Sequence, residues 1–376
     1  MNAMRVARLV DRARSQGLEA VVVIPGPNMY YLTGLEMHVS ERPAMLFFPT
    51  GREPFAFCPA FEAERMTTGA GISKVYPWGE EEGPAPVLKR ALTEQGIGGG
   101  VLGIEYRYMR VLERELLARA IAESPAAMGN ANAARSLRYE DAGVILADLR
   151  TVKDEEELAR MQRAAAIVDA GVKAAHSFIK AGVTERQVAA YMEQELQKLG
   201  AEPPFEIMVA SGPRSAIPHS ATSDRVLQDG ELVWVDFVWQ YHGYTGDITR
   251  TYPVGQVSGK LAEIYQICLE AQAKARAEAR PGMSGAQVDA IARQYITDRG
   301  YGQYFTHRTG HGLGLEVHEE PYIVGSNHRP LEVGNTFTIE PGIYIPGLGG
   351  VRIEDDVIME TQGARTLTQY PRDLLR

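Results

Sequence analysis

Four carboxylates in the second half of the chain occur where carboxylates are costly. The run Leu232-Val233-Trp234-Val235 reads as a strand buried on both faces, yet it meets Asp236 before resuming with Phe237-Val238-Trp239. A buried carboxylate needs a compensating charge. The following "QYHGYTGD" carries Gly243 and Gly246, which signal a hairpin turn. A turn centred between residues 241 and 242 is expected to set Asp236 directly opposite Asp247. Further along, "IEPGIYIPGLGGVRIEDD" has the same layout, and a turn centred on Gly347 is expected to set Glu340 opposite Glu354. Directly opposed residues have Cβ atoms about 5 Å apart, where two bare carboxylates repel by about 3 kcal/mol at an effective dielectric of about 20. Two such pairs call for cations.

Between the pairs lies "HRTGHGLGLEVHEEP", with His307, His311 and His318. No helical HExxH zinc motif is present, and Gly310, Gly312 and Gly314 argue against a regular helix. An oxygen-rich set with one imidazole suits Mn²⁺ or a similar divalent ion better than a structural zinc. Four carboxylates provide enough ligands for two bridged metals, the arrangement that activates a water between ions about 3.5–4 Å apart. His242 and His328 read as ordinary surface residues.

The elements that must position these groups come from a duplication. Residues 181–200, "AGVTERQVAAYMEQELQKLG", align without gaps to 281–300, "PGMSGAQVDAIARQYITDRG"; Gly182, Gln187, Val188, Ala190, Gln194 and Gly200 each recur. "LQDGELVWVD" (227–236) likewise matches "LEVGNTFTIE" (331–340), so Asp236 and Glu340 hold the same place in the two repeats. The repeat is too long for a solenoid unit and reads as a duplicated half-domain, a long helix followed by strands.

Upstream, amphipathic "AMRVARLVDRARSQGLE", strand-like "AVVVIPG", "AMLFFPT" and "VLGIEYRYM", and helical "PAFEAERM" and "APVLKRALTEQG" alternate. This is an α/β layout with a mostly parallel sheet expected. The pattern changes where Lys153 to Glu157 opens a long helix, so the expected domains are 1–147 and 148–376. The net charge of −9 argues against nucleic acid and anionic membrane as partners. Cys58 and Cys268, the two cysteines, form neither a disulfide framework nor a metal site. No signal peptide or bilayer-length apolar run is evident, and the expected location is the cytoplasm.

In order and spacing, "VDF…GDITRT", "TGHGLGLEVHEEP", "TIEPGIY" and "GVRIEDD" resemble the pita-bread metallopeptidases of the prolidase and aminopeptidase P group. "NMYYLTG" at 28–34 resembles the creatinase-type N-terminal domain. The resemblance covers nearly the whole chain and implies an α/β (α+β) fold, with a creatinase-like α/β N-terminal domain and a C-terminal pseudo-twofold pita-bread domain. It implies two divalent metal ions per chain, Mn foremost with Co or Zn as alternatives, on Asp236, Asp247, His311, Glu340 and Glu354. By family role Asp247 and Glu354 bridge, Asp236 holds one ion, and His311 and Glu340 hold the other. His219, in "ASGPRSAIPHSATSD", and His318 would contact the scissile carbonyl and the tetrahedral intermediate. Glu340 would act as general base, and Arg352 would brace a bridging carboxylate or bind substrate. The family also suggests a homodimer.

The implied activity is hydrolysis of the bond between an N-terminal residue and proline, in dipeptides (prolidase) or, alternatively, in longer peptides (aminopeptidase P). A metal-free creatinase-like hydrolase and a non-catalytic binding module fit less well, because all five ligands are present. The separate N-terminal domain argues against methionine aminopeptidase. Some prolidases carry an Arg after the Pro of the "HExP" segment; here Pro321 is followed by Tyr322. A dipeptide's free carboxylate still calls for an arginine, and Arg42 in "HVSERPAM" is the expected candidate outside the familiar position.

Overall fold

The computed structural model describes residues 1–98, 100–123 and 138–373. The chain divides into two compact units, Met1–Arg150 and Thr151–Arg376.

The first unit opens with α1 (Ala3–Ser15), whose N-cap Asn2 accepts from the Arg5 N–H. There follow β1 (Leu18–Val23), α2 (Pro27–Thr33), β2 (Met45–Pro49), β3 (Phe55–Pro59), β4 (Lys74–Trp78), α3 (Pro84–Glu94), β5 (Val101–Ile104), α4 (Val111–Ala122) and β6 (Arg138–Asp141). Helix α5 (Gly143–Thr151) ends at the division between the units. The strands form one sheet in the order β4-β3-β2-β1-β5-β6. It is more mixed than expected: β1–β5, β5–β6 and β3–β4 are parallel, but β1–β2 and β2–β3 are antiparallel. The reason is local, since the short "TGRE" link between β2 and β3 leaves no room for a crossover helix. "PAFEAERM" is not a regular helix either, but a 3₁₀ turn (Ala60–Glu62) followed by a π turn (Arg65–Gly69). The core joins Phe47, stacked on Phe55 at 4.4 Å, to Val87, Leu88, Ala91 and Leu92 of α3.

The second unit holds the duplication. Its first copy is α6 (Glu155–Phe178), α7 (Glu185–Lys198), β7 (Glu206–Ser211), β8 (Leu232–Tyr241) and β9 (Tyr244–Pro253). The second copy begins with α8 (Gly259–Glu278), α9 (Gly285–Asp298), β10 (Gly310–Gly312) and β11 (Glu319–Ile323). It continues with β12 (Thr336–Ile339), β13 (Gly342–Ile345), β14 (Gly349–Arg352), β15 (Asp355–Glu360) and β16 (Gly363–Thr366). The recurring residues have physical reasons. Gln187 and Gln287 each complete a capping box with Thr184 and Ser284. Val188 and Val288 are fully buried. Gly182 and Gly282 adopt φ of 93° and 87° and donate to the carbonyls of Leu227 and Leu331, which are themselves equivalent. The pseudo-twofold pita-bread expectation is borne out. Among the described residues no helix is long and apolar enough to cross a membrane.

The hairpin turn sits one residue further along the chain than expected, which moves the pairing register by two. Tyr241 pairs with Tyr244 around a two-residue loop, His242-Gly243, with φ of 47° and 79° at its two positions. Positive φ at both loop residues gives the tight turn whose twist matches the flanking strands, and this wins over the longer loop. Asp236 therefore faces Thr249, and Asp247 faces Val238. The two acids are diagonal neighbours on one face of the hairpin rather than direct partners. The second pair follows the expected register: Ile339 faces Asp355 and Gly342 faces Arg352, so Glu340 and Glu354 lie across from each other in the gap between two short ladders.

Gly246 lets β9 rest directly on α6. A Cβ there would lie 2.7 Å from the Ala164 carbonyl carbon and 2.9 Å from the Ala165 nitrogen, both backbone atoms that cannot swing aside. Gly246→Ala is expected to destabilise the second unit by about 1–3 kcal/mol, read as a lowered midpoint in denaturant unfolding. An unchanged midpoint would show that α6 gives way without cost.

Candidate metal centre

Asp236 enters the site from the middle of β8, and Asp247 from β9. His311 comes from β10, Glu340 from the end of β12, and Glu354 from the link between β14 and β15. All five line one cleft with a cavity of about 550 Å³, together with His219, His307, Arg308, His318 and Arg352. The neighbours of Asp236 are buried, while its own side chain reaches the cleft and keeps 13% exposure. That is why a carboxylate can interrupt so apolar a strand.

Asp247, His311 and Glu354 offer ligand atoms within 4.8 Å of one another, all buried. His311 Nε2 lies 3.1 Å from Glu340 Oε1 and 3.8 Å from Asp247 Oδ2. Its Nδ1 is 3.2 Å from the Gly312 carbonyl, so that nitrogen carries a proton and Nε2 is the ring atom turned to the acids. Asp247 Oδ1 is buried and has no hydrogen-bond partner among the described residues. Burial, then the charges of Glu354 and Asp236, push Asp247 well above the usual carboxylate range. Glu354 is raised by burial and by Glu340 and Asp236. An orphaned carboxylate oxygen, crowded by like charges beside an imidazole nitrogen, is the environment a divalent cation completes. The residues fit a metal site.

The acids of the cleft are each aimed by a neighbour. The Arg352 guanidinium, fully buried, donates to Asp236 Oδ2 at 2.6 Å, to Thr249 Oγ1 at 3.1 Å, to the Tyr344 hydroxyl at 2.8 Å and to the Pro218 carbonyl at 3.2 Å. Arg352 was expected to brace a bridging carboxylate or bind substrate; its carboxylate partner is Asp236, to which the family role gives a single ion. With donors from all three of its nitrogens engaged, Arg352 is poorly placed to bind substrate as well. Thr249 donates to Glu354 Oε2 at 2.5 Å, and Thr338 donates to Glu340 Oε1 at 3.1 Å. The backbone N–H of Asp247 donates to Asp356 Oδ2 at 2.9 Å. Burial opposes ionisation of Glu340, yet the bond and charge of His311 prevail and hold it down at about 2.

The remaining histidines divide. His318 stands edge-on to His311, with ring centroids 4.3 Å apart, and burial, with His311 and Arg308 nearby, pulls it down to about 4. Its neighbour Glu319 is pinned by a buried ion pair to Lys153 at 2.7 Å. His219 is exposed at the cleft wall, next to the Pro218 carbonyl that Arg352 holds. His307, which sequence spacing left without a role, accepts from the Tyr344 hydroxyl at 2.9 Å and turns Nδ1 to the Arg308 carbonyl at 2.7 Å. Thr249, Thr338 and Tyr344 were missed in the sequence, where a hydroxyl two to four residues from one of these acids carries no distinguishing signal. Arg42, the expected carboxylate binder, donates to Glu80 Oε1 at 2.7 Å and to Glu41.

Comparison with known proteins agrees with this site. Residues 159–361 match the model of metallopeptidase family M24, and residues 5–152 match the creatinase/prolidase N-terminal domain. A Staphylococcus epidermidis protein described as an uncharacterized peptidase is 36% identical over 346 residues, covering 92% of this chain and 93% of its own. Among solved structures, the prolidase from Pyrococcus horikoshii is similar at 34% identity, covering 99% of both chains with a TM-score of 0.86. The Xaa-Pro dipeptidase from Bacillus anthracis is similar at 32% identity, covering 100% of this chain and 99% of its own with a TM-score of 0.88. The chain therefore belongs to metallopeptidase family M24, and carries ahead of its catalytic domain an N-terminal domain of the creatinase/prolidase type.

Proposed function

We propose that this protein is a two-metal exopeptidase that hydrolyses the bond between an N-terminal residue and proline in free dipeptides. One observation carries the reading: the buried Asp247–His311–Glu354 cluster, with an Asp247 oxygen that no described group satisfies. The substrate class is drawn from the P. horikoshii prolidase and the B. anthracis Xaa-Pro dipeptidase, which this chain matches over nearly its whole length.

In this reading Asp236, Asp247, His311, Glu340 and Glu354 would hold two divalent ions, with Mn²⁺ the expected metal. When bound, the ions polarise the scissile carbonyl and lower the pKa of a water toward neutrality. Glu340 would take the proton of the attacking water and later deliver it to the departing proline nitrogen. His318 is neutral at pH 7 and can donate an N–H to the oxyanion that develops on the carbonyl, with His219, which lines the same cleft, in the same role. Arg352 holds Asp236 and the Pro218 carbonyl together, which fixes one ligand and the segment bearing His219 as a unit. We further propose a homodimer, to be sized by light scattering, and a reducing compartment such as the cytoplasm, which suits the buried free thiols of Cys58 and Cys268.

Exhaustive chelation is expected to abolish peptidase activity, and Mn²⁺ or Co²⁺ to restore it, with metal analysis approaching about two ions per chain at saturation. Full activity in rigorously metal-free protein would overturn the reading in favour of a creatinase-like hydrolase.

A second expectation separates ligation from catalysis. Asp247→Ala and Glu354→Ala should lose both metal and rate. His318→Ala should keep most of its metal while kcat falls by about 10²- to 10³-fold, the loss of one oxyanion donor. Metal analysis and kinetics on the same preparations decide it: a His318→Ala protein stripped of metal but normally folded would place His318 among the ligands.

A further inference from the structure

The cleft is strongly acidic, lined by Glu206, Asp236, Asp247, Glu340 and Glu354. A free carboxylate entering it needs a cation with donors to spare. Two arginines line the cleft, Arg308 and Arg352. Arg352 is buried and committed to Asp236, Thr249, Tyr344 and Pro218.

Arg308 is in the opposite condition. It is half-buried, and among the described residues its guanidinium takes part in no hydrogen bond or ion pair. Its one side-chain partner is an aromatic face: the guanidinium carbon lies 4.5 Å from the centroid of the Tyr322 ring. Stacking occupies the face of a guanidinium and leaves its in-plane N–H groups free, the geometry that receives a carboxylate through two parallel hydrogen bonds. The backbone that carries it is fixed on both sides. The Arg308 carbonyl meets His307 Nδ1, and the Thr309 N–H donates to the Ile323 carbonyl at 3.0 Å while the Thr309 hydroxyl donates to Asp289 at 2.7 Å. Arg308 lines the same cleft as His219 and His318, the groups assigned to the scissile bond.

Resting on the dipeptidase reading above, we propose that Arg308 binds the C-terminal carboxylate of the dipeptide and that Tyr322 sets the plane of its guanidinium. Arg308 thereby distinguishes free dipeptides from longer or blocked ones. The role expected of Arg42 passes to a residue inside the catalytic unit, while Arg42 spends its own guanidinium on Glu80 and Glu41.

The test compares an Xaa-Pro dipeptide with its C-terminal amide, in the Mn²⁺-loaded wild-type protein and in Arg308→Gln, with metal content measured on each. The wild type is expected to favour the free acid. In Arg308→Gln the acid-over-amide ratio of kcat/KM should fall by about 10- to 100-fold, the worth of charge-assisted hydrogen bonds, with most of the loss in KM for the acid. Arg308→Lys should recover part of the ratio. Tyr322→Leu, which removes the platform but keeps the charge, should lower the ratio by a smaller factor and serves as the second reading if Arg308→Gln folds poorly. If the wild type favours the acid and both Arg308→Gln and Tyr322→Leu keep that preference, Arg308 is not the binder and the dipeptidase reading stands. If the wild type cleaves acid and amide alike, the dipeptidase reading fails and this inference falls with it.

Discussion

Uncompensated negative charge around Asp247 is the constraint on which the catalytic unit depends. Burial and four neighbouring acids, Glu354, Asp236, Asp356 and Glu340, all disfavour its ionisation, and one of its oxygens has no donor among the described residues. A fold built only for stability would replace such a cluster with apolar side chains, since buried charges are often neutral or destabilising relative to well-packed hydrophobes. Here the surrounding contacts hold the acids in place instead. Arg352 supports Asp236, Thr249 supports Glu354, and His311 with Thr338 supports Glu340. The framework orients the oxygens and leaves the charge to be balanced by cations.

The duplication provides that framework, but the two copies do not remain alike. In the first copy β8 and β9 run unbroken through their acids. In the second, the chain leaves the ladder at Glu340-Pro341 and again at Ile353-Glu354. Pro341 has no N–H to continue a ladder. The N–H groups of the acids turn to other partners: Glu340 donates to the Thr309 carbonyl at 2.8 Å and Glu354 to the Thr249 carbonyl at 3.1 Å. The second of these bonds crosses from one copy to the other, so the break that frees Glu354 also ties its strand to the strand of Asp247. Thr249 is the hub of this crossing, since its hydroxyl accepts from Arg352 and donates to Glu354.

Behind the ligands a second charged layer closes the unit. Arg250, wholly buried, donates to the carbonyls of Thr249, Glu354, Tyr370 and Pro371 and to the carboxylate of Asp355. Asp355 also receives Gln272, Thr368 and Arg372. Burial opposes ionisation of Asp355, yet Arg250 and Arg372 outweigh it and keep its carboxyl below the usual range. The contrast with Asp247 is instructive: adjacent strands carry buried acids of opposite character, one satisfied by guanidinium groups and one left for a metal. The satisfied acid fastens the C-terminal segment across the strands that bear the ligands.

Much of this was legible in the sequence, because charge in an apolar run and exact recurrence at fixed spacing are local signals. Asp236 within its strand, the matching Glu340, the paired Asp247 and Glu354, and the capping and glycine positions of the two repeats all follow from residue type and order. What the sequence misread depended on backbone detail or on contacts distant along the chain. The hairpin register turned on whether His242 would adopt a positive φ, and the N-terminal sheet turned on which neighbours β2 would take. Arg352, Arg308 and Arg42 look alike as letters. Only the tertiary structure separates them, because an arginine's role is set by which of its donors are already engaged, and for Arg352 three of the four partners, Pro218, Asp236 and Thr249, lie more than a hundred residues away, while the Arg308 partner lies across a strand pair.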